Sequence, residues 1–122
     1  MQYPNLVLFY VEDPLRSAKF YEQLFESPPV AAFPTYMAFK FPNGLMFSLW
    51  SVKAKNFVSG GSGHRAELAL MVPNEAAVRA LRERWHNAGV QIEQDLQEAV
   101  FGLTFVALDP DGHRIRVCTP DD

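Results

Sequence analysis

The residues that could perform nucleophilic or metal chemistry are few, and they lie far apart in the sequence. The histidines, His64, His86 and His113, match no common metal-ligand spacing, and each is more simply explained as a surface residue. Cys118 is the single cysteine, and the sequence places no histidine or helix start where it could activate the thiol. We therefore expect Cys118 to be a small, half-buried apolar residue.

Aromatic side chains on predicted strands point to binding. In a strand predicted over 45–52, alternation places Met46, Ser48 and Trp50 together on the face away from the helix. An indole offers a large flat surface and one N–H donor, so Trp50 is the leading candidate for stacking on a planar ligand. The alternative for Trp50 is packing in a dimer interface. Further candidates, each of which could equally belong to the core, are Tyr36, Phe39, Phe101 and Phe105.

The elements that must position these residues begin with a strand predicted over 5–11. Asp13 then caps a helix with Pro14 at its first position, where the missing N–H costs nothing, and 27–29 end it. The other strands of this half are predicted over 30–33, 35–41 and 45–52.

The second half repeats the order. A strand over 67–72 leads to a helix opened by 73–75 and closed at Gly89. The buried face of this helix is predicted to carry Ala77, Val78, Leu81 and Trp85. A short strand over 90–93, a longer one over 100–108 and a final hairpin complete the half.

The final hairpin turns on Asp109-Pro110-Asp111-Gly112, because proline presets the turn and glycine supplies a positive φ. After the turn, Ile115 and Val117 share one face of the strand, and Arg114, Arg116 and Cys118 share the other. One face is expected to pack on a helix and the other to line a site.

Composition limits the possible partners. The 122 residues are 48% hydrophobic, which predicts a single domain over 1–122, with modules 1–55 and 65–122 joined by a Gly/Ser-rich connector at 59–63. The net charge of -3 and the scattered basic residues disfavour nucleic acid and anionic membranes. With one cysteine and no apolar leader or membrane-spanning run, we expect a cytoplasmic protein.

The chain resembles the vicinal-oxygen-chelate (glyoxalase/bleomycin resistance) superfamily. The resemblance rests on Val11, Asp13, 16–21 and 108–115. Within the superfamily it is most similar to the phenazine-antibiotic resistance proteins, judged from 5–6, 50–51, 100–102, 104–105 and 115–118. The resemblance implies an α+β fold: two βαβββ modules that form half-barrel sheets, in a homodimer with ligand cavities at the module junctions.

Metalloenzymes of this superfamily hold a divalent metal at four fixed strand positions. By resemblance these positions correspond to Leu6, Ser48, Glu67 and Arg116 in this chain. Leucine has no donor atom and arginine is a permanent cation, so one usable carboxylate remains. We therefore expect no metal, no other cofactor and no catalytic residues.

The same positions predict that Glu67 and Arg116 pair, with the guanidinium taking the electrostatic place of the metal. Such a pair could orient a ligand carboxylate or phenolate, or it could merely neutralise itself and stiffen the sheet.

We therefore predict non-catalytic binding and sequestration of a planar aromatic antibiotic, phenazine-like or related. The expected ligand contacts are Trp50, Arg116, Glu67, Ser48, Met46, Phe101, Phe105 and Tyr36. One alternative is a lyase, transferase or dioxygenase of the same fold, working without metal or with Glu67 and unexpected ligands. Another is a structural or regulatory interaction module. The sequence leaves the natural ligand, its affinity and the mode of dimerisation open.

Overall fold

The computed structural model describes residues 5–55, 66–99 and 101–120. The chain forms two compact units, Met1–Gly61 and Ser62–Asp122. Each unit contains one helix and one four-stranded sheet in the order βαβββ, which confirms the predicted α+β class and its repeated element order. The predicted connector at 59–63, and with it His64 and Val100, lies outside the described residues.

The first unit follows the predicted order closely. Its elements are β1 (Leu6–Val11), α1 (Pro14–Phe25), β2 (Ala31–Phe33), β3 (Tyr36–Lys40) and β4 (Met46–Ser51). The strand order is β1-β4-β3-β2, in which β1 and β4 are parallel and the other neighbours are antiparallel. Asp13 caps α1 as predicted, because its Oδ1 accepts from the backbone N–H groups of Leu15 at 3.1 Å and Arg16 at 3.3 Å.

An aromatic core joins α1 to its sheet. Phe47 of β4 is fully buried, and its ring lies edge-on to Tyr21 of α1, with centroids 4.7 Å apart. The rings of Phe25 in α1 and Phe39 in β3 also lie edge-on to each other, with centroids 5.8 Å apart. Such edge-to-face pairs add to the stabilisation from buried apolar area. The core therefore occupies one face of this sheet. In each unit we call the face of the sheet away from its helix the open face.

The second unit contains β5 (Leu68–Met71), α2 (Glu75–Asn87), β6 (Gln91–Ala99), β7 (Gly102–Leu108) and β8 (Arg114–Cys118). The strand order is β5-β8-β7-β6, with β5 and β8 parallel. Asn74 caps α2 through its side-chain oxygen, and Gly89, at φ 85°, follows its end. Val78 and Trp85 form the buried face of α2.

Strand β6 is longer than predicted. The expected strand over 90–93 continues to Ala99, and its pairing with β7 shifts register between Ile92 and Gln94 and again between Gln94 and Gln97. Each shift interrupts the two-residue alternation, and most of the side chains of β6 are exposed and polar. The sequence of β6 therefore lacks the apolar alternation from which a strand is normally predicted.

The turn at 109–112 forms the predicted hairpin between β7 and β8. The N–H of Gly112 donates to the carbonyl of Asp109 at 3.0 Å, and Gly112 has φ 87°. The buried carboxylate of Asp109 accepts from the N–H groups of Asp111 and His113. It also lies 2.8 Å from Nδ1 of His113, so this histidine serves the turn.

In the part of the chain that the structure describes, neither helix is long and apolar enough to cross a membrane.

Candidate ligand-binding site

A groove lies on the open face of the second sheet, away from α2. Ile115 and Val117 of β8 are fully buried on the helix side, so the alternation turns Arg116 to the other face, as predicted. The groove has a volume of about 330 Å³. It is lined by Glu67, Met71, Phe101, Arg116, Cys118 and Thr119.

Arg116 is held in the groove by two side chains. Its Nε donates to Oε1 of Glu67 at 2.5 Å, and its Nη2 lies 3.4 Å from Oε2. Its Nη1 donates to Oγ1 of Thr104 at 3.1 Å, and that hydroxyl donates in turn to the carbonyl of Val117 at 2.7 Å. The predicted pairing of Glu67 with Arg116 is confirmed. The contact with Thr104 was not predicted from the sequence.

Apolar surface surrounds this ion pair. The guanidinium carbon of Arg116 lies 5.6 Å from the centroid of the Phe101 ring, which is the distance of a cation–π contact. Phe101 remains 39% exposed and Met71 68% exposed. The side chains of Arg116 and Glu67 retain 20% and 34% of their accessible surface. A planar molecule could therefore reach both the aromatic ring and the ion pair.

A second ion pair neutralises the same region. Nε of Arg114 donates to Oε1 of Glu93 at 2.8 Å. The hydrogen bond that Arg114 donates to Glu93 and the negative charges of Glu93 and Glu67 raise the pKa of Arg114 above its ordinary value, against the opposing effect of desolvation. Two arginines and two glutamates thus stand close together, and their formal charges cancel.

The open face of the first sheet carries a row of three aromatic side chains. In the strand register, Trp50 of β4 lies between Tyr10 of β1 and Tyr36 of β3. The rings of Tyr10 and Trp50 are 6.5 Å apart and nearly edge-on, and Tyr10 is 40% exposed. The hydroxyl of Tyr36 donates to Oγ of the fully buried Ser48 at 2.7 Å, which fixes the phenol ring.

Tyr10 was not among the residues predicted from the sequence. The run predicted as a strand at 5–11 is mostly apolar, so it indicated a strand covered on both faces. Without alternation of polar and apolar residues, the sequence does not show which side chains share a face. The signal that could have found Tyr10 is its alternation with Phe9, which packs on Phe47 in the core.

The other candidate residues from the sequence differ in how far they are buried. Met46 is half-buried in β4, while Phe39 and Phe105 are buried in the cores of their units. The ring of Phe105 lies edge-on to Trp85 at 5.5 Å and has no accessible surface, so it cannot touch a ligand in this conformation. Cys118 lines the groove but is buried, with 9% of its surface accessible.

Another groove, of about 420 Å³, lies in the first unit beside the start of α1. Its lining is apolar except for Asp13, whose Oδ1 already caps the helix. It is larger than the groove at Arg116, but it offers a ligand no comparable set of fixed donors and acceptors. We therefore place the candidate site at Arg116.

The side chains at the four metal positions do not fit a divalent ion. Glu67 is engaged by a guanidinium, and the hydroxyl of Ser48 is buried and bonded to Tyr36. Leu6 offers only carbon, and Arg116 would repel a cation. Among residues 5–55, 66–99 and 101–120, no group of three or more His, Cys, Asp or Glu side chains could hold a metal elsewhere.

The sequence pattern of the Glyoxalase/Bleomycin resistance protein/Dioxygenase superfamily matches residues 4–117. The chain belongs to this superfamily. Its membership confirms the resemblance inferred from the sequence, and it accounts for the two βαβββ units.

Two relatives match nearly the whole chain. The phenazine antibiotic resistance protein EhpR of Enterobacter agglomerans is 35% identical over 97% of this chain and 92% of its own length. The solution structure of protein ATC0852 from Agrobacterium tumefaciens is 39% identical, covers 98% of both chains and superposes with a TM-score of 0.80.

A second solved structure carries an enzymatic description. It is the crystal structure of a glyoxalase-related enzyme from Fulvimarina pelagi, at 27% identity and a TM-score of 0.80. The match covers 98% of this chain and 90% of that one. The relatives of this chain thus include both a resistance protein and a glyoxalase-related enzyme.

Proposed function

We propose that this protein binds a planar aromatic antibiotic or related small molecule without transforming it, and so protects the cell by sequestration. The observation that carries the proposal is the guanidinium of Arg116, which Glu67 and Thr104 hold beside an exposed phenylalanine at a position where the resemblance implies a metal ligand. Similarity to EhpR, a phenazine antibiotic resistance protein, supports the class of ligand.

The aromatic surfaces support a flat guest. Trp50 with its neighbours Tyr10 and Tyr36, and Phe101 beside Arg116, present ring faces or edges to which a polycyclic compound can pack. Stacking contributes about 1 kcal/mol per aromatic pair beyond burial. A micromolar site corresponds to about 8 kcal/mol, so most of the affinity must come from removing the guest from water.

Removing the guest from water requires that both open faces be covered. Tyr10, Met71 and Phe101 are all substantially exposed in a single chain. We propose that the protein is a homodimer in which Trp50 of one chain and Arg116 of the other contact the same ligand. Light scattering tests this arrangement, with an expected mass twice that of one chain; a monomer that binds the ligand with full affinity would contradict it.

Fluorescence provides the test of ligand binding. The chain has two tryptophans, and Trp85 belongs to the core, so W85F leaves Trp50 as the single reporter. We expect a phenazine to quench this reporter to saturation at one ligand per chain. By calorimetry, W50L should weaken binding about tenfold or more, because stacking and burial are both lost. W85F is the matched control and should bind as the parent does.

An enzymatic function is the second candidate, favoured by the glyoxalase-related enzyme from Fulvimarina pelagi. Metal analysis of the purified protein, together with a turnover assay on glutathione adducts, separates the two functions. A stoichiometric transition metal, or a product that accumulates over many turnovers, would reject sequestration.

A further inference from the structure

The polar end of the groove offers donors and acceptors in equal measure. A guanidinium has five N–H donors, and the bonds of Arg116 to Glu67 and Thr104 use one on each of its three nitrogens. Within the described residues, one N–H therefore remains on each terminal nitrogen. Each oxygen of the Glu67 carboxylate accepts one of these bonds and keeps a further lone pair.

We propose that this pair recognises an uncharged group that both donates and accepts, such as a carboxamide on the aromatic ring, in preference to a carboxylate. The inference rests on the proposed function and specifies which ligands the same site selects. The amide carbonyl would accept from a free N–H of Arg116, and the amide N–H would donate to Glu67. The sequence alone led to the expectation of a carboxylate or phenolate opposite Arg116, and the geometry revises that expectation.

A carboxylate meets two obstacles at Arg116. One of the two edges of the guanidinium that can form a parallel two-bond fork, Nε with Nη2, already faces Glu67. An incoming carboxylate is therefore left with the remaining N–H groups, and it must lie close to the negative charge of Glu67. Like charges at short range in a half-buried site oppose binding, whereas a neutral amide meets no such repulsion.

Among the described residues that line the groove, Arg116 is the single cation. The neighbouring Arg114 is occupied by Glu93. Because these two arginines and two glutamates cancel, the described part of the groove has no net positive charge with which to attract an anion. The open wall beside Arg116 is the exposed ring of Phe101, which favours an aromatic group attached to the amide.

The test compares phenazine-2-carboxamide, phenazine-2-carboxylate and unsubstituted phenazine by calorimetry at pH 7. The 2-position keeps the substituent away from the ring nitrogens, so that no internal hydrogen bond masks it. We expect the full chain to bind the carboxamide about tenfold more tightly than the carboxylate. E67Q, which can still accept from Arg116, should remove most of this preference or reverse it.

Glu93→Gln is the matched control, because it neutralises the glutamate paired with Arg114 and Glu93 is not among the described residues that line the groove. It should leave most of the preference in place. Tighter binding of the carboxylate by the parent, or an unchanged preference in E67Q, would overturn the inference while leaving sequestration intact. Failure of all three compounds to bind would instead overturn the proposed function, and the inference with it.

Discussion

Thr104 is the residue through which the sheet fixes Arg116, and replacing it by valine tests that role. Thr104 is fully buried; its hydroxyl accepts from Nη1 of Arg116 and donates to the carbonyl of Val117. T104V preserves the shape of the side chain and removes both hydrogen bonds. T104S preserves the hydroxyl and removes only a methyl group, so it serves as the matched control.

The two substitutions have different expected costs. A buried hydrogen bond contributes about 1 kcal/mol and a bond to a charged group somewhat more, but Arg116 is partly exposed and water can replace one partner. We therefore expect T104V to lower the free energy of unfolding by about 2 kcal/mol. Loss of one buried methyl in T104S should cost about 1 kcal/mol. For a chain of this size, 2 kcal/mol corresponds to a decrease in Tm of about 8 °C.

Urea denaturation followed by circular dichroism measures both variants. If the hydroxyl were unimportant, valine would be neutral or stabilising and serine the more harmful change, so that order would refute the reasoning. A double-mutant cycle with R116M isolates the contact itself. We expect a coupling of about 0.5–1.5 kcal/mol between positions 104 and 116, and strict additivity would show that the two side chains do not interact.

Three further predictions concern the scaffold. D13A should lower stability by about 1 kcal/mol in urea denaturation because α1 loses its N-cap, while D13N, which can still cap, should cost much less. W85F should cost less than a typical buried tryptophan replacement, because Nε1 of Trp85 has no hydrogen-bond partner among the described residues, and W85A should cost about 3–5 kcal/mol. The hydrogen bond from Arg82 lowers the pKa of Asp95. The stabilisation of the folded state by this pair is therefore complete above the ordinary pKa of 3.8, and it is lost as the pH falls through the lowered pKa. Parent and D95N should therefore differ slightly in Tm at pH 6 and converge at low pH; a difference that persists in acid would contradict the pairing.

Local signals in the sequence were sufficient for most of the fold. Asp13 with Pro14 started one helix, and Gly89 followed the end of the other, because capping depends on residues within one turn. The end of α1 lies next to the predicted stop at 27–29, but the backbone conformation of its cap was not predicted. The helix ends at Phe25, and Glu26 takes a left-handed conformation at φ 54°, a position for which the sequence offers no glycine.

The site was harder to predict, because it depends on strand register. Periodicity identified Arg116 as facing away from Val117 in β8, where polar and apolar residues alternate. It could not separate Phe105 from Phe101, since apolar residues continue through β7 and only the packing on Trp85 shows which face Phe105 occupies. Thr104 was not predicted as part of the site, because its contact with Arg116 depends on how β7 and β8 are paired.

The most direct test of sequestration measures how many ligand molecules each chain retains and whether any of them is chemically changed. The protein is incubated with a tenfold excess of a phenazine in parallel samples with and without a strong chelator, the free and bound fractions are separated by dialysis, and both are identified by mass spectrometry. Sequestration predicts that one ligand is retained per chain and that every molecule is recovered unchanged, however long the incubation. Conversion of more ligand than there are protein chains, or loss of binding when the chelator is added, would contradict it.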